Sequence, residues 1–189
     1  MIHFVGAGPG AVDLITVRGQ KLLETADQII YAGSLVNPQL LACAKKDCRI
    51  LDSAGMTLEA VIAAMEEGEG QGWMTVRLHT GDPSVYGAIR EQMDILSQKG
   101  LAYDVVPGVS SFCAAAASLQ AEYTLPGISQ SVIITRMEGR TPVPDKQKIA
   151  DYAAHQATMV IFLSASLLEG LQAELLRGGY SADTPAAIV

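Results

Sequence analysis

Hydrophobic and polar positions along the chain follow two alternating rhythms. Short apolar runs, Ile2-His3-Phe4-Val5 the first of them, each lead into a turn and then into a stretch whose apolar residues recur at helical spacing. Repetition of such units predicts a mostly parallel sheet covered by helices. Strands are expected at 2–5, 28–31, 48–51, 73–78 and 103–106, and helices at 14–26, 39–44, 58–67, 88–99 and 112–119. Leu58, Val61, Ile62 and Met65 share one helical face behind a Thr57 cap, and Gly68-Glu69-Gly70-Gln71-Gly72 is expected to end that helix as a solvated loop. Ile89, Met93 and Leu96 form a similar face, with Gly100 at the C-cap position.

The pattern changes after residue 112. Residues 120–130 are polar and irregular, and a strand at 131–135 and a Gly/Pro-rich loop at 137–145 follow. A helix at 146–154, a strand at 158–163, a helix at 166–177 and a strand at 186–189 complete the expected order. The fold class is therefore α/β, as two small domains, 1–112 and 113–189, with a ligand cleft between them. Because the sequence stops inside the apolar run Pro185-Ala186-Ala187-Ile188-Val189, the second domain is expected to be truncated.

Composition narrows the function classes. Of 189 residues 49% are hydrophobic and 17% charged, the balance of a compact globular protein. The formal net charge of −7 and the scattered basic residues argue against a nucleic-acid partner. No run reaches the length of a membrane span, and with a strand expected from residue 2 no secretory leader is expected. Cys43, Cys48 and Cys113 fit no zinc or redox spacing and are expected to be reduced thiols of a cytoplasmic protein. His3, His79 and His155 show no ligand spacing, so no metal site is expected.

Candidate chemistry centres on Arg77-Leu78-His79-Thr80-Gly81-Asp82-Pro83-Ser84-Val85-Tyr86-Gly87, a loop between strand and helix. Loops at the carboxyl ends of parallel strands are where open α/β sheets bind ligands. Gly6, Gly8 and Ala11 match the dinucleotide pattern G-x-G-x-x-G/A in form. Pro9 removes a backbone donor from that turn, Asp13 places negative charge near a pyrophosphate, and the second strand ends without an acid for a ribose. Ser110 or Ser111 can cap the helix that follows, whose free amides suit an acceptor group. No G-x-S-x-G elbow or P-loop is present. What remains is a binding cleft without an obvious acid, base or nucleophile. It suits a reaction in which the protein supplies proximity to substrates that carry their own reactivity, such as methyl transfer from a sulfonium.

Val5-Gly6-Ala7-Gly8-Pro9-Gly10 with Asp13-Leu14-Ile15-Thr16, the loop from Arg77 to Gly87, and Pro107-Gly108-Val109-Ser110-Ser111 together resemble the tetrapyrrole methylases, S-adenosylmethionine-dependent enzymes of cobalamin and siroheme synthesis. The segment Tyr31-Ala32-Gly33-Ser34-Leu35-Val36 looks like the branch that methylates carbon 11 of precorrin-4 or cobalt-precorrin-4. The resemblance implies a two-domain homodimer that uses S-adenosyl-L-methionine, releases S-adenosyl-L-homocysteine, and takes a small-molecule tetrapyrrole as substrate. It further implies that Thr80, Gly81, Asp82 and Val85 line the cofactor site, that Ser110 and Ser111 contact the cofactor, that Leu163 packs on it, and that Ala187 makes a backbone contact. Pro9 and Tyr86 would border the methyl-transfer site, with Asp82 positioning the cofactor. Gly8, Pro9, Gly10 and Ser34 would face the tetrapyrrole, and Arg136 would meet a substrate carboxylate or else pair with Glu138. The alternatives are a sister methylase acting at another ring position, a nicotinamide-dependent oxidoreductase resting on Gly6, Gly8 and Ala11, and a non-catalytic small-molecule-binding domain.

Overall fold

The structure, a computed structural model, describes residues 1–33 and 35–189. It divides into two compact units, Met1–Ala114 and Ala115–Val189.

In the first unit β1 (Ile2–Gly6), β2 (Gln28–Tyr31), β3 (Arg49–Asp52), β4 (Thr75–His79) and β5 (Tyr103–Val106) form one sheet in the order β3-β2-β4-β1-β5. Every pairing is parallel. The connecting helices are α1 (Val17–Thr25), α2 (Leu58–Gly70) and α3 (Arg90–Gln98), and α4 (Ser111–Leu119) follows β5. Strand alternation divides the core between the two faces of the sheet. Val5, Ala7, Ile29, Val76, Leu78 and Val106 pack with Leu23 of α1 on one face. Ile2, Phe4 and Ile30 pack with Val61, Met65 and Leu96 of α2 and α3 on the other. Both faces are covered, which explains why these strands read as apolar runs.

Several helix boundaries differ from the sequence reading, and each difference has a local cause. Residues 12–14 form a 3-10 turn, and the helix starts only at Val17 because the Thr16 hydroxyl accepts from the Gly19 amide at 3.0 Å. The segment at 39–44 is a 3-10 run, Pro38–Cys43, capped by Asn37. Helix α2 continues through Gly68 and Gly70, the glycines expected to end it. A Cβ on Gly68 would lie 2.7 Å from the Thr75 hydroxyl and 3.1 Å from Gln28 Nε2, so this glycine permits close packing of the helix on the sheet.

Chain direction reverses within the sheet. From β1 the chain moves through α1 to β2 and on to β3, whereas from β4 it moves through α3 to β5 on the far side of β1. The connections from the adjacent strands β1 and β4 thus run in opposite directions along the sheet, one over each face, which makes this pair its topological switch point.

In the second unit β6 (Val132–Arg136) and β7 (Thr158–Phe162) pair in parallel. They carry α5 (Ile149–Ala153) and α6 (Leu168–Arg177), with a 3-10 turn, Asp145–Gln147, ahead of α5. Gly178 allows the two helices to close, since a Cβ there would fall 2.4 Å from both the Ala150 carbonyl oxygen and Ala153 Cβ. The expected strand at 186–189 is not formed. Residues 181–189 are exposed and pair with neither strand, so their β propensity has no ladder to satisfy.

Candidate functional site

Three loops meet at the carboxyl edge of the five-stranded sheet and are locked together by their backbones. The Ala7 amide donates to the His79 carbonyl at 2.7 Å, and Gly8 and Gly81 exchange amide-to-carbonyl bonds of 3.2 and 2.8 Å. Both glycines have positive φ, +77° and +59°. A Cβ on Gly6 would sit 2.6 Å from Gly108 Cα and from the Gly81 oxygen, and one on Gly108 would sit 2.2 Å from that same oxygen. Only glycine lets three main chains approach this closely. The amides of Ala7 and Gly8, which a dinucleotide site would turn toward a pyrophosphate, are spent on the β4 loop.

Asp82 ties two of these loops together. One carboxylate oxygen accepts from the Ser84 amide at 2.8 Å and from the Ser84 hydroxyl, while the other accepts from the Gly108 amide at 2.8 Å. Burial pushes the Asp82 carboxyl upward, but the Ser84 hydroxyl and the two amides outweigh it and hold the group below the ordinary carboxylate range. Beyond Asp82 the backbone is strained, with Tyr86 and Ala88 at φ of 56° and 50°. Each such residue costs on the order of 1–2 kcal/mol and persists where the surroundings over-determine it. Tyr86 is 44% exposed at this turn, Thr80 and Val85 are half-buried, and Ser110 is buried just before the exposed Ser111 that begins α4.

Two side chains absent from the expected site extend the network. Asn37 Nδ2 donates to the Gly10 carbonyl at 2.7 Å and so fixes the Gly8-Pro9-Gly10 turn, in which Pro9 is half-buried. Asp52 accepts from the Gly33 amide at 3.1 Å and from the Ala54 amide at 2.8 Å, joining the loops after β2 and β3. Ser34, expected on the substrate side, lies outside the described residues. In sequence, Asn37-Pro38 and Asp52-Ser53 look like ordinary turn chemistry; the register of β2 against β3 brings Gly33 to Asp52, and the strand order brings the loop after β1 to Asn37.

His79 ends β4 beneath this platform. Its ring stacks on Phe4 at 6.1 Å, it is 4% exposed, and its Nε2 has no hydrogen-bond partner among the described residues. Burial, and secondarily the Arg77 charge, lowers its pKa to about 3, so the imidazole is neutral and a poor proton acceptor at physiological pH. Among the described residues no group of three His, Cys, Asp or Glu side chains could hold a metal ion. The site thus offers shaped backbone, hydroxyls and an aromatic ring rather than acid–base machinery.

The expected residues of the second unit have local roles. Arg136 does not pair with Glu138: its guanidinium donates to the carbonyls of Met137, Thr141 and Pro142 at 3.3, 3.0 and 2.9 Å and so fastens the 137–142 loop. Leu163 follows β7 with φ +56° and is 68% exposed. Ser164 beside it is buried, accepting from the Met137 amide at 3.0 Å and donating to the Phe162 carbonyl at 2.7 Å. Ala187 lies in the exposed segment that forms no strand.

These features, a parallel sheet with glycine-locked loops at its switch point, define a class already known. The family of Tetrapyrrole (Corrin/Porphyrin) Methylases matches residues 1–189, and the chain belongs to it. Among relatives, it is 56% identical over 188 residues to the cobalt-precorrin-4 C(11)-methyltransferase of Methanocaldococcus jannaschii, spanning 100% of this chain and 73% of that protein. A solved cobalt precorrin-4 methyltransferase superposes with a TM-score of 0.93 at 48% identity over 95% of this chain and 75% of the other. The uroporphyrin-III C-methyltransferase of Thermus thermophilus, solved with S-adenosyl homocysteine, superposes with a TM-score of 0.78 at 26% identity over 95% and 73%.

Proposed function

We propose that this chain transfers a methyl group from S-adenosylmethionine to carbon 11 of precorrin-4 or its cobalt form. The supporting observation is the locked platform of Gly6–Gly10, Thr80–Gly87 and Pro107–Ser111 loops at the carboxyl edge of the sheet, whose main chains are fixed against one another by hydrogen bonds and glycine contacts. The identity to relatives bearing that activity in their names selects the ring position.

The residues present suit such a cofactor. The amino end of α4, entered by Ser110 and Ser111, offers amides and hydroxyls to a carboxylate, and the turn at Val85 and Tyr86 offers apolar and aromatic surface. The bound cofactor supplies an electrophilic methyl on a sulfonium. The protein's contribution is orientation. Asp82 fixes the Thr80–Gly87 loop against Gly108, and Asn37 fixes the Gly8-Pro9-Gly10 turn. Rigid placement of two reactants accounts for several kcal/mol of barrier lowering without proton transfer by a side chain. Homodimer formation, which rests on the family resemblance, and a cytoplasmic setting, which rests on the free cysteines, are part of the same proposal.

Calorimetric titration with S-adenosylhomocysteine and with NADH tests the cofactor. The first is expected to bind and the second not to, and Asp82→Ala is expected to weaken binding at least tenfold. Incubation with cobalt-precorrin-4 and methyl-labelled cofactor then maps the methyl, and a label at another ring carbon would assign the chain to a sister activity.

A further inference from the structure

On the α2/α3 face of the first unit a cleft of about 200 Å³ opens between the turn leading into α2 and the start of α3. Ser53, Met56, Thr57, Arg77, Ala88 and Gln92 are among its lining residues. It holds roughly the volume of six waters, enough for a short-chain acid group.

Arg77 makes this cleft unusual. The side chain is 6% exposed, yet no carboxylate pairs with it among the described residues. Its Nε donates to Gln92 Oε1 and one terminal nitrogen donates to the Ile30 carbonyl, both at 3.2 Å. A guanidinium carries five donors, so the two neutral acceptors leave part of its fork uncommitted. Burial lowers Arg77 to about 10, and no neighbouring acid offsets it, so it stays a cation at neutral pH. Glu91 reaches the cleft from an exposed position and is not within ion-pair distance. Helix α3 begins beside it with Ile89 as N-cap and no side-chain cap, leaving its first amides without an intrahelical or capping acceptor. A buried cation without a paired acid, beside the start of a helix that no side chain caps, is complementary to an anion with two coplanar oxygens.

We propose that this cleft binds a carboxylate, seated on Arg77 in front of Gln92. The group comes either from a free short-chain acid or from a peripheral acid arm of a larger ligand. The second source rests on the methyl-transfer reading, because precorrins carry acetate and propionate arms.

Sodium propionate is the probe, added to the 189-residue chain while its melting temperature is followed. A saturable rise of about 2–4 °C is expected. Propionamide, and sodium chloride at matched ionic strength, are expected to give none. Gln92→Glu places a carboxylate against Arg77 within the chain. This variant is expected to melt higher without any addition and to lose the propionate response, and Arg77→Gln is expected to lose it as well. If Arg77→Gln does not fold, Gln92→Glu decides alone. An equal response to propionamide or chloride, or an undiminished propionate response in Gln92→Glu, overturns the proposal. Uroporphyrin identifies the source: competition with propionate assigns the site to an acid arm, and independent binding of the two assigns it to a free acid. The propionate response is read without cofactor, so it stands or falls separately from methyl transfer.

Discussion

The two units use the same β-α vocabulary to different ends. In the first, Ile2, Phe4, Val5, Ile29, Ile30, Val76 and Leu78 are fully removed from solvent, and both faces of the sheet are covered. In the second, the strands carry no fully buried apolar side chain, Ile134 is 39% exposed, and the buried apolar set is Ile149, Ala150, Ala153 and Ala157. Polar ties compensate there: Thr158 is held by Ser129 and Tyr123, and the Tyr180 hydroxyl donates to the Ala157 carbonyl. The difference shows what loop-to-loop locking requires. In the first unit three loops are held at glycine contact distance by strands fixed in a fully buried core, whereas in the second the glycine contact at Gly178 joins the ends of two helices.

The largest effect that can break this comparison comes from one methyl group in each unit. In Gly108→Ala the new carbon meets the Gly81 carbonyl at 2.2 Å and Gly6 Cα at 2.8 Å, all backbone, and a loss of about 4 kcal/mol or more is expected in urea unfolding. In Gly170→Ala the new carbon meets the flexible end of Met137 at 3.0 Å inside α6, where alanine favours the helix, so the change is expected to stay within about 1 kcal/mol. Equal losses in the two variants would remove the distinction drawn between the units.

Core truncation sharpens it next. Leu78→Ala, at a fully buried position, is expected to cost about 3 kcal/mol. Ile134→Ala, at a position 39% exposed, is expected to cost about 1 kcal/mol. The same urea transitions measure both.

A further effect is a slope with pH. His79 titrates at about 3 when folded and near its ordinary 6.5 when unfolded. Between those values the unfolded chain binds a proton that the folded chain refuses, so stability rises with pH. This contribution is complete above 6.5 and is lost by about 1.4 kcal/mol per unit as pH falls toward 3. His79→Phe keeps a ring against Phe4 and is expected to flatten that slope.

The α/β rhythm and the parallel sheet were legible because fully buried strands leave uninterrupted apolar runs and because Thr57 marks a helix start. The position of the glycine loops at strand carboxyl ends follows from that rhythm. What the loops do to one another was not legible. The Gly6–Gly108 contact, the Asn37–Gly10 bond and the Asp52–Gly33 bond join residues far apart in sequence, and strand order alone brings them together. Gly68 was misread because a packing glycine and a helix-ending glycine look alike until the neighbouring strand is in place. Residues 186–189 were misread because apolar composition speaks for a strand whether or not a partner is available. Arg77 gave no warning of its burial, since a basic residue in a strand ordinarily points to water.

The strand order also has a consequence in time. β1 is made first, yet its partners are β4 and β5, whose residues begin at Thr75 and Tyr103. At ribosomal rates of about 5–20 residues per second, Ile2, Phe4 and Val5 wait roughly 4–15 s for their first neighbour. During that interval β2 and β3 can pair locally, but the strand destined for the interior of the sheet stays an uncovered apolar segment. Until then β1 is a segment open to chaperones and to aggregation, and its insertion beside β4 is the step that closes this window.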